Sequence, residues 1–337
     1  MSNIQVVGLG AMNMDYIYRV ESILGDGETT DLRKYKDEGL EPPGKFPGGS
    51  AANTIYGLAR LGVKTGFIGA IGDDDNGRAL LQDLKKAGVD TTRIRVKSGV
   101  KTGRARCLID KANFRSIQVT PGANILLTMD DLDLEYLNQA EILHMSSFAG
   151  NRQFKILLEL MGKLDSSVKV SFAPGALYAA KGLKALAPIL NRTHVLFTNQ
   201  NEIRQLTGMN FETGTEECLK LGCRMIVVTF GRGLEIQRET PAPTRVTAVS
   251  YIRDAQAGYI IEVPDPGELV SIDTIGAGDA FAAGFLYGLL RGRDPRECGV
   301  LGDITARFST TKVGARQGLP APGELSGRYR EISRQSS

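Results

Sequence analysis

The chain has 337 residues, of which 42% are hydrophobic and 23% charged, and its formal net charge is +3. This composition excludes a disordered or fibrous chain and predicts one large domain, or one domain with a smaller one. The small, dispersed charge argues against nucleic acid or a membrane surface as the partner. No apolar run approaches a membrane span of about 18 residues, and the first residues predict a strand and not a signal peptide.

The four cysteines have no C-x-x-C spacing and predict no disulfide framework. Together with only two histidines, His144 and His194, they argue against a zinc site. We therefore expect a reducing, cytoplasmic setting. The chain carries 40 glycines in clusters, which indicates tight turns where the backbone approaches a ligand.

Short apolar runs rich in β-branched residues alternate with helical stretches, which is typical of an α/β fold with a largely parallel sheet. In chain order, strands are predicted at residues 4–10, 65–71, 141–145, 168–172, 194–198 and 224–230, and helices at 50–60, 76–87, 202–206, 216–220 and 279–291.

Two stretches interrupt this alternation. Residues 15–46 are polar and contain prolines, and residues 93–119 contain segments in which polar and apolar residues alternate. A small, separate β layer formed by these two stretches is the hypothesis. The tail after Pro320 is expected to be peripheral or frayed.

Two glycine motifs are incomplete. Gly8 and Gly10 follow the first strand, but Asn13 stands where a dinucleotide-binding sequence has its third glycine. Residues 39–45 resemble a Walker sequence, but Phe46 replaces the magnesium-binding Ser or Thr. Neither motif is interpreted as a nucleotide site.

Two further features are interpreted as structural. The acidic run 73–75 predicts a solvated turn that caps the helix beginning near Asn76. His144 lies inside an apolar strand and is interpreted as a core histidine.

The most informative segment is residues 273–285. Gly276, Ala277 and Gly278 open a helix that is apolar nearly all round and is therefore predicted to be buried. Its free N–H groups would carry about half a positive charge and form a site for an anion. Asp279 in the first turn either stabilises the helix dipole or accepts a hydroxyl proton beside a bound phosphate.

Two more segments have both a structural and a functional interpretation. Gly48 and Gly49 precede the helix at 50–60, and the turn is either a plain loop with Ser50 as N-cap or a substrate contact that includes Asn53. Residues 199–202 have the pattern of a capping box, or they lie near hydrated magnesium and phosphate at the carboxyl edge of the sheet.

In this order, the segments resemble the ribokinase/phosphofructokinase-B family of carbohydrate and nucleoside kinases, from residue 4 to about 320. Residues 273–285 are similar to its C-terminal signature and residues 48–62 to its N-terminal Gly-Gly segment. The resemblance implies a ribokinase-like three-layer α/β/α domain with a small β-sheet lid. The main domain would comprise residues 1–14, 47–92 and 120–320, the lid residues 15–46 and 93–119, and the peripheral tail residues 321–337.

The resemblance also implies transfer of the γ-phosphoryl group of ATP to a sugar hydroxyl, with Asp279 as the general base and Gly276, Ala277 and Gly278 as the anion hole. The residues implied to hold the sugar are Asn13, Asp15, Gly48, Gly49 and Asn53. Those implied at the nucleotide and at Mg²⁺ are Asn199, Glu202, which would act through water, Thr229, Gly231 and Gly314. Asp273 and the Ile275 carbonyl, with residues 313–318, resemble a potassium site.

The sequence departs from the family pattern in two places. Ala173 stands where relatives often carry Asp or Asn before a proline. The first lid stretch is longer than in ribokinase-like members and resembles that of adenosine-kinase-like ones. The alternatives are therefore a nucleoside kinase on the same fold and a non-catalytic sugar-binding protein. The exposed lid edge also predicts pairing with a second copy of the chain.

Overall fold

The computed structural model describes residues 4–20, 44–110, 115–238, 244–262 and 271–335. Most of the first predicted lid stretch, including Gly39 of the Walker-like sequence, and residues 111–114 of the second lie outside the described residues. Within the described ranges, no helix is long and apolar enough to cross a membrane.

Thirteen strands are described. In chain order they are β1 (Val6–Leu9), β2 (Asn13–Arg19), β3 (Gly44–Gly48), β4 (Thr65–Gly72), β5 (Ile94–Lys97), β6 (Gly103–Ile109), β7 (Arg115–Thr120), β8 (Ile142–Ser146), β9 (Lys169–Ala173), β10 (Thr193–Asn199), β11 (Met225–Arg238), β12 (Thr244–Asp254) and β13 (Gly258–Glu262).

The described α-helices are α1 (Ser50–Arg60), α2 (Asp75–Lys86), α3 (Leu134–Asn138), α4 (Asn151–Lys163), α5 (Gly175–Ala179), α6 (Gly182–Leu190), α7 (Gln200–Thr207), α8 (Phe211–Lys220), α9 (Ala277–Leu289), α10 (Pro295–Thr310) and α11 (Pro322–Gln335).

The strands form two sheets. The large sheet has nine strands in the order β13-β12-β11-β10-β9-β8-β1-β4-β5. Its strands from β11 to β5 pair in parallel, and β12 and β13 add an antiparallel edge. The small sheet has the order β3-β2-β6-β7. The predicted small β layer is thus present as a sheet of its own.

The large sheet lies between two helix layers because consecutive strand side chains point to opposite faces. In β1, Val7 belongs to the core that α3 to α8 complete, and Val6 to the core that α1, α2, α9, α10 and α11 complete. Both side chains are fully buried. The predicted three-layer α/β/α architecture is confirmed.

Several predictions made from the local sequence are confirmed by the structure. The helix predicted at residues 50–60 has these bounds in the structure. Asp74 caps α2 by accepting the Gly77 N–H at 2.9 Å, which confirms the capping interpretation of the acidic run. His144 is fully buried, with its Nδ1 2.9 Å from the Ser171 hydroxyl oxygen, and the core interpretation is confirmed.

The β5 strand differs from the expectation that residues 93–119 belong to the lid. It pairs in parallel with β4 and forms the edge of the large sheet. A strand at the edge of a sheet is partly exposed, so polar and apolar residues can alternate along it as they do in a lid strand. The sequence pattern of β5 therefore did not distinguish the two positions. Arg95 and Lys97 of β5 both reach Asp131, at 3.8 and 2.8 Å.

The prediction of a frayed tail is wrong for residues 322–335, which form α11. Leu325 and Ile332 are buried in the same core as α9 and α10. The Tyr329 hydroxyl donates to Glu297 of α10 at 2.6 Å. This helix therefore closes the outer layer on the side of α9.

Leu325→Ala should lower the free energy of unfolding by about 2–5 kcal/mol, since it leaves a cavity in a closed core. Urea denaturation measures the change. Arg334→Ala, at an exposed position of the same helix, is the control and should change stability by no more than about 0.5 kcal/mol. Equal effects of the two substitutions would show that α11 does not contribute to the core.

Candidate active site

The first turn of α9 opens onto free space. Gly276 precedes the helix with a φ of 76°, and a side chain there would overlap Ala315. A Cβ built on Gly278 has no atom within 4 Å. Because the rest of α9 is buried, as predicted, this accessible N-terminus is the part of the helix that a ligand can reach.

The backbone N–H groups at this turn are not equivalent. Ala277 donates to the Thr274 carbonyl at 3.2 Å. The N–H groups of Gly276, Gly278 and Asp279 have no acceptor in the part of the chain that the structure describes. The predicted anion hole therefore offers free donors at Gly276 and Gly278, while the Ala277 amide is already engaged.

The Asp279 carboxylate is held by the first turn of α1. The Ser50 hydroxyl donates to Oδ1 at 2.7 Å, and the Asn53 amide donates to Oδ2 at 2.8 Å. The Thr54 hydroxyl donates to the Asp279 carbonyl at 3.2 Å. Two helix N-termini thus meet at one carboxylate.

Of the two interpretations of the glycine turn, the one with Ser50 as N-cap is wrong. The N-cap of α1 is Gly49, with a φ of 100°, and Ser50 is the first helical residue. A Cβ on Gly49 would overlap the Ala11 carbonyl. The glycine turn therefore rotates the Ser50 hydroxyl away from the helix end and toward Asp279.

Three carboxylates near this turn have raised pKa values. Burial raises the pKa of Asp279 to about 6, against the hydrogen bonds from Asn53 and Ser50 and the positive charge of Arg316. Burial raises the pKa of Asp15 to about 7; Arg316 opposes the shift and Asp279 adds to it. Burial and the Asp279 charge also raise the pKa of Glu202.

The base of the lid brings the predicted sugar-binding residues together. Asn13 of β2 pairs with Gly48 of β3, and its side-chain oxygen accepts the Asn124 amide at 3.0 Å. A Cβ on Gly48 would overlap the Asp15 carboxylate. No hydrogen bond from another residue in the described ranges reaches that carboxylate. Asp15 is thus a buried acceptor with unused capacity.

The residues predicted at the nucleotide follow the ends of β10 and β11. Asn199 pairs with Thr229 in register. Asn199 and Glu202 form the predicted capping box, with N–H donations at 2.9 and 3.1 Å. Gly231 has a φ of 61°, and a Cβ there would meet no atom within 4 Å. Ala173 ends β9 on the side of α9.

Asp273 links two loops of the site. Its Oδ1 accepts the Ile275 N–H at 3.0 Å and its Oδ2 accepts the Gly314 N–H at 2.9 Å. Phe46 of the lid lies against Gly314. The carboxylate therefore joins the turn before α9 to residues 313–318.

Arg316 was missed as a site residue, although residues 313–318 were singled out. It is only 4% exposed, and its guanidinium donates to Asn53, Asp83 and the Gly48 carbonyl. A charged residue in a glycine-bounded loop was the available signal, but it did not indicate where the side chain points. Asn124, which donates to the Asn13 side chain, was likewise not among the predicted site residues.

Asp15→Asn should stabilise the protein at pH 8. The folded pKa of about 7 exceeds the ordinary 3.8, so the stability contributed by the protonated carboxyl is present below pH 4 and lost as pH rises toward 7. The amide of the substituted side chain does not ionise, so the variant avoids this loss of stability, which amounts to roughly 2–4 kcal/mol. Thermal unfolding at pH 4 and 8 measures it. The exposed Asp130→Asn is the control, and an equal Tm change at both pH values would contradict the prediction.

Residues 3–233 and 249–322 match the model of the pfkB family of carbohydrate kinases. A protein from Archaeoglobus fulgidus described as an uncharacterized sugar kinase is 33% identical over 264 residues, 78% of this chain and 98% of that protein. A nucleoside kinase from Methanocaldococcus jannaschii is 27% identical over 317 residues, 94% of this chain and 93% of that protein.

The solved structures agree with the sequence relatives. The crystal structure of ribokinase from Thermotoga maritima matches with a TM-score of 0.77 at 25% identity, covering 97% of this chain and 99% of that one. The family model covers both the Gly-Gly segment and the start of α9. The chain is a kinase that belongs to the pfkB family of carbohydrate kinases.

Proposed function

We propose that this kinase transfers the γ-phosphoryl group of ATP to a hydroxyl group of a sugar, with Asp279 as the general base. The observation that carries the proposal is the Asp279 carboxylate, which Ser50 and Asn53 hold beside free N–H groups at the open end of α9. A pKa of about 6 leaves the carboxylate ionised at neutral pH yet basic enough to take a proton.

The proposed reaction is a single in-line displacement. The O–H bond of the acceptor hydroxyl breaks and its proton passes to Asp279. The hydroxyl oxygen forms a bond to the γ-phosphorus, and the bond to the bridging oxygen breaks, so ADP leaves with the electron pair. The N–H groups of Gly276 and Gly278 stabilise the charge on the transferred group.

The sugar is assigned to the base of the lid, where polar groups converge on the same opening as Asp279. Asp15 supplies a buried acceptor for sugar hydroxyls, and Asn13 precedes it by two residues in β2. Arg316 links Asn53 of α1 to the carbonyl of Gly48, the residue against which Asp15 lies. The absence of side chains at Gly48 and Gly49 lets the Asp15 carboxylate and the Ala11 carbonyl pack directly against this turn.

ATP is assigned to the ends of β10 and β11, along Thr229, Gly231 and Gly314. Glu202, with Asn199, would hold Mg²⁺ through water. Burial and, to a smaller extent, the Asp279 charge raise the pKa of Glu202, and a bound cation would favour its ionised form. Across the described ranges no group of three or more metal-ligating side chains occurs. That suits Mg²⁺, which keeps several waters and binds substrate phosphates, whose charge it neutralises when bound.

A nucleoside is the second candidate acceptor. The face of the lid that carries Asp15 also carries Ile17 and Cys107, which pack with Ile275 and Ala315 beside the start of α9. These four side chains are buried against one another, so a nucleobase would extend this apolar cluster at its edge. Closure of the lid over the acceptor would then exclude water from the phosphoryl group.

Asp279→Asn should lower kcat at least about 100-fold, because the amide cannot accept the proton. The measurement is ADP release from magnesium-ATP with ribose, fructose, other ketoses and aldoses, adenosine, cytidine, inosine and guanosine. Asp130→Asn is the matched control, since it makes the same chemical change at an exposed position. Turnover with one class of acceptor, lost only in Asp279→Asn, would identify the substrate class. Sugar binding by calorimetry without any turnover would favour the non-catalytic alternative.

Potassium should raise kcat above the value in sodium or choline chloride at equal ionic strength. Asp273 and the Ile275 carbonyl lie where the turn before α9 meets residues 313–318, so a cation bound there would order the free N–H groups. Initial rates in the three salts test this. Equal rates in all three would exclude a role for potassium at this site.

A further inference from the structure

Arg316 is a buried cation at the centre of the site. Its Nε donates to the Asn53 side-chain oxygen at 2.9 Å, and its two terminal nitrogens donate to Asp83 at 2.5 Å and to the Gly48 carbonyl at 3.1 Å. Its guanidinium carbon lies 5.2 Å from the centre of the Tyr56 ring. The side chain is 2% exposed, so its position is fixed from all sides.

The first consequence concerns the Asn53 amide, whose oxygen and nitrogen have nearly the same shape. Arginine can only donate hydrogen bonds, so the amide oxygen must face Arg316. The amide NH₂ then necessarily faces Asp279, to which it donates at 2.8 Å. In the flipped orientation the amide oxygen would face the carboxylate, and a donor would face the guanidinium. Arg316 therefore selects the orientation in which Asn53 binds the carboxylate.

The second consequence concerns the glycine turn. The hydrogen bond from Arg316 to the Gly48 carbonyl fixes the position of Gly48. The Asp15 carboxylate lies against this residue. The next residue, Gly49, accepts the Asn53 N–H at 2.8 Å. The Arg316 guanidinium thus positions both the turn at Gly48 and Gly49 and the side-chain amide of Asn53.

The third consequence is electrostatic. The charged groups that face Asp279 are Asp15 from β2, Glu202 from α7 and Arg316. Arg316 lowers the pKa of both Asp15 and Asp279, against the effect of burial. Asp83 of α2 faces Arg316 from the other side and balances its charge. Without such a partner a buried guanidinium would be strongly destabilising.

We propose that Arg316 is a positioning residue for phosphoryl transfer: it orients the Asn53 amide toward Asp279, holds the Gly48 turn, and is itself anchored by Asp83. This inference rests on the proposed function, in which Asp279 is the base. Arg316 acts through Asn53, and none of its three hydrogen bonds requires contact with the substrate.

The test compares Arg316→Gln, Arg316→Lys and Asp83→Asn with the wild type, as pH profiles of kcat and kcat/KM. Arg316→Gln should lower kcat at least about tenfold through misplacement of Asp279. The acid limb of its pH profile should move to higher pH, because loss of the positive charge raises the pKa of Asp279. Arg316→Lys keeps the charge but not the planar fork, so its kcat should fall while the acid limb stays. Asp83→Asn should move the acid limb to lower pH.

Arg307→Gln is the matched control, because Arg307 is a part-buried arginine paired with Asp303 within α10. It should leave the pH profile unchanged. An acid limb of Arg316→Gln at the wild-type position would overturn the inference, whatever its kcat. Should Arg316→Gln not fold, an Asp83→Asn profile equal to that of the wild type would overturn it.

A second readout does not depend on turnover. The carboxyl ¹³C shift of Asp279, assigned with Asp279→Asn, reports its pKa in the substrate-free protein. The pKa of Asp279 should rise in Arg316→Gln and stay in Arg316→Lys. If the wild type phosphorylates no acceptor, the proposed function fails, and this titration still tests the placement of Arg316. An Asp279 pKa that is the same in Arg316→Gln and the wild type would refute that placement.

Discussion

A carboxylate at the start of a buried helix needs donors, and in this protein a second helix supplies them. Asp279 is held by Ser50 and Asn53 of α1, so the N-termini of α1 and α9 must meet. The two helices approach closely because Gly57 has no side chain; a Cβ there would lie 2.8 Å from the Ala283 methyl group. The raised pKa of Asp279, the open N-terminus of α9 and the position of the glycine turn all depend on this junction.

The lid is attached to the same junction. Its strand β2 follows β1 after three residues, and β3 ends immediately before the turn that opens α1. The pair of Asn13 with Gly48 therefore belongs both to the small sheet and to the site. Phe46, two residues before Gly48 in β3, lies against Gly314 of the loop 313–318. Movement of the lid would therefore displace residues that themselves line the site.

The local sequence determined the architecture and indicated several of the residues that the structure brings together around Asp279. Buried parallel strands appear as apolar runs, and the apolar circumference of residues 280–288 predicted a buried helix because no polar face was left for solvent. Spacing within single segments was also sufficient for the capping box of Asn199 and Glu202 and for the cap of Asp74 on α2. These features involve neighbours along the chain, so a short window contains all the necessary information.

Only the tertiary structure decided where the polar side chains of distant segments point. One interpretation of the sequence made Ser50 the cap of its own helix, but Gly49 takes that position and the Ser50 hydroxyl donates to Asp279, 229 residues away. Arg316 reaches Asn53 across 263 residues, and β5 joined the large sheet through a neighbour that its own pattern does not specify. The sequence by itself thus determined the fold class and the elements that meet at Asp279, because periodicity and glycine spacing are local. The hydrogen bonds that orient Asp279 were decided by packing between elements, which no local pattern encodes.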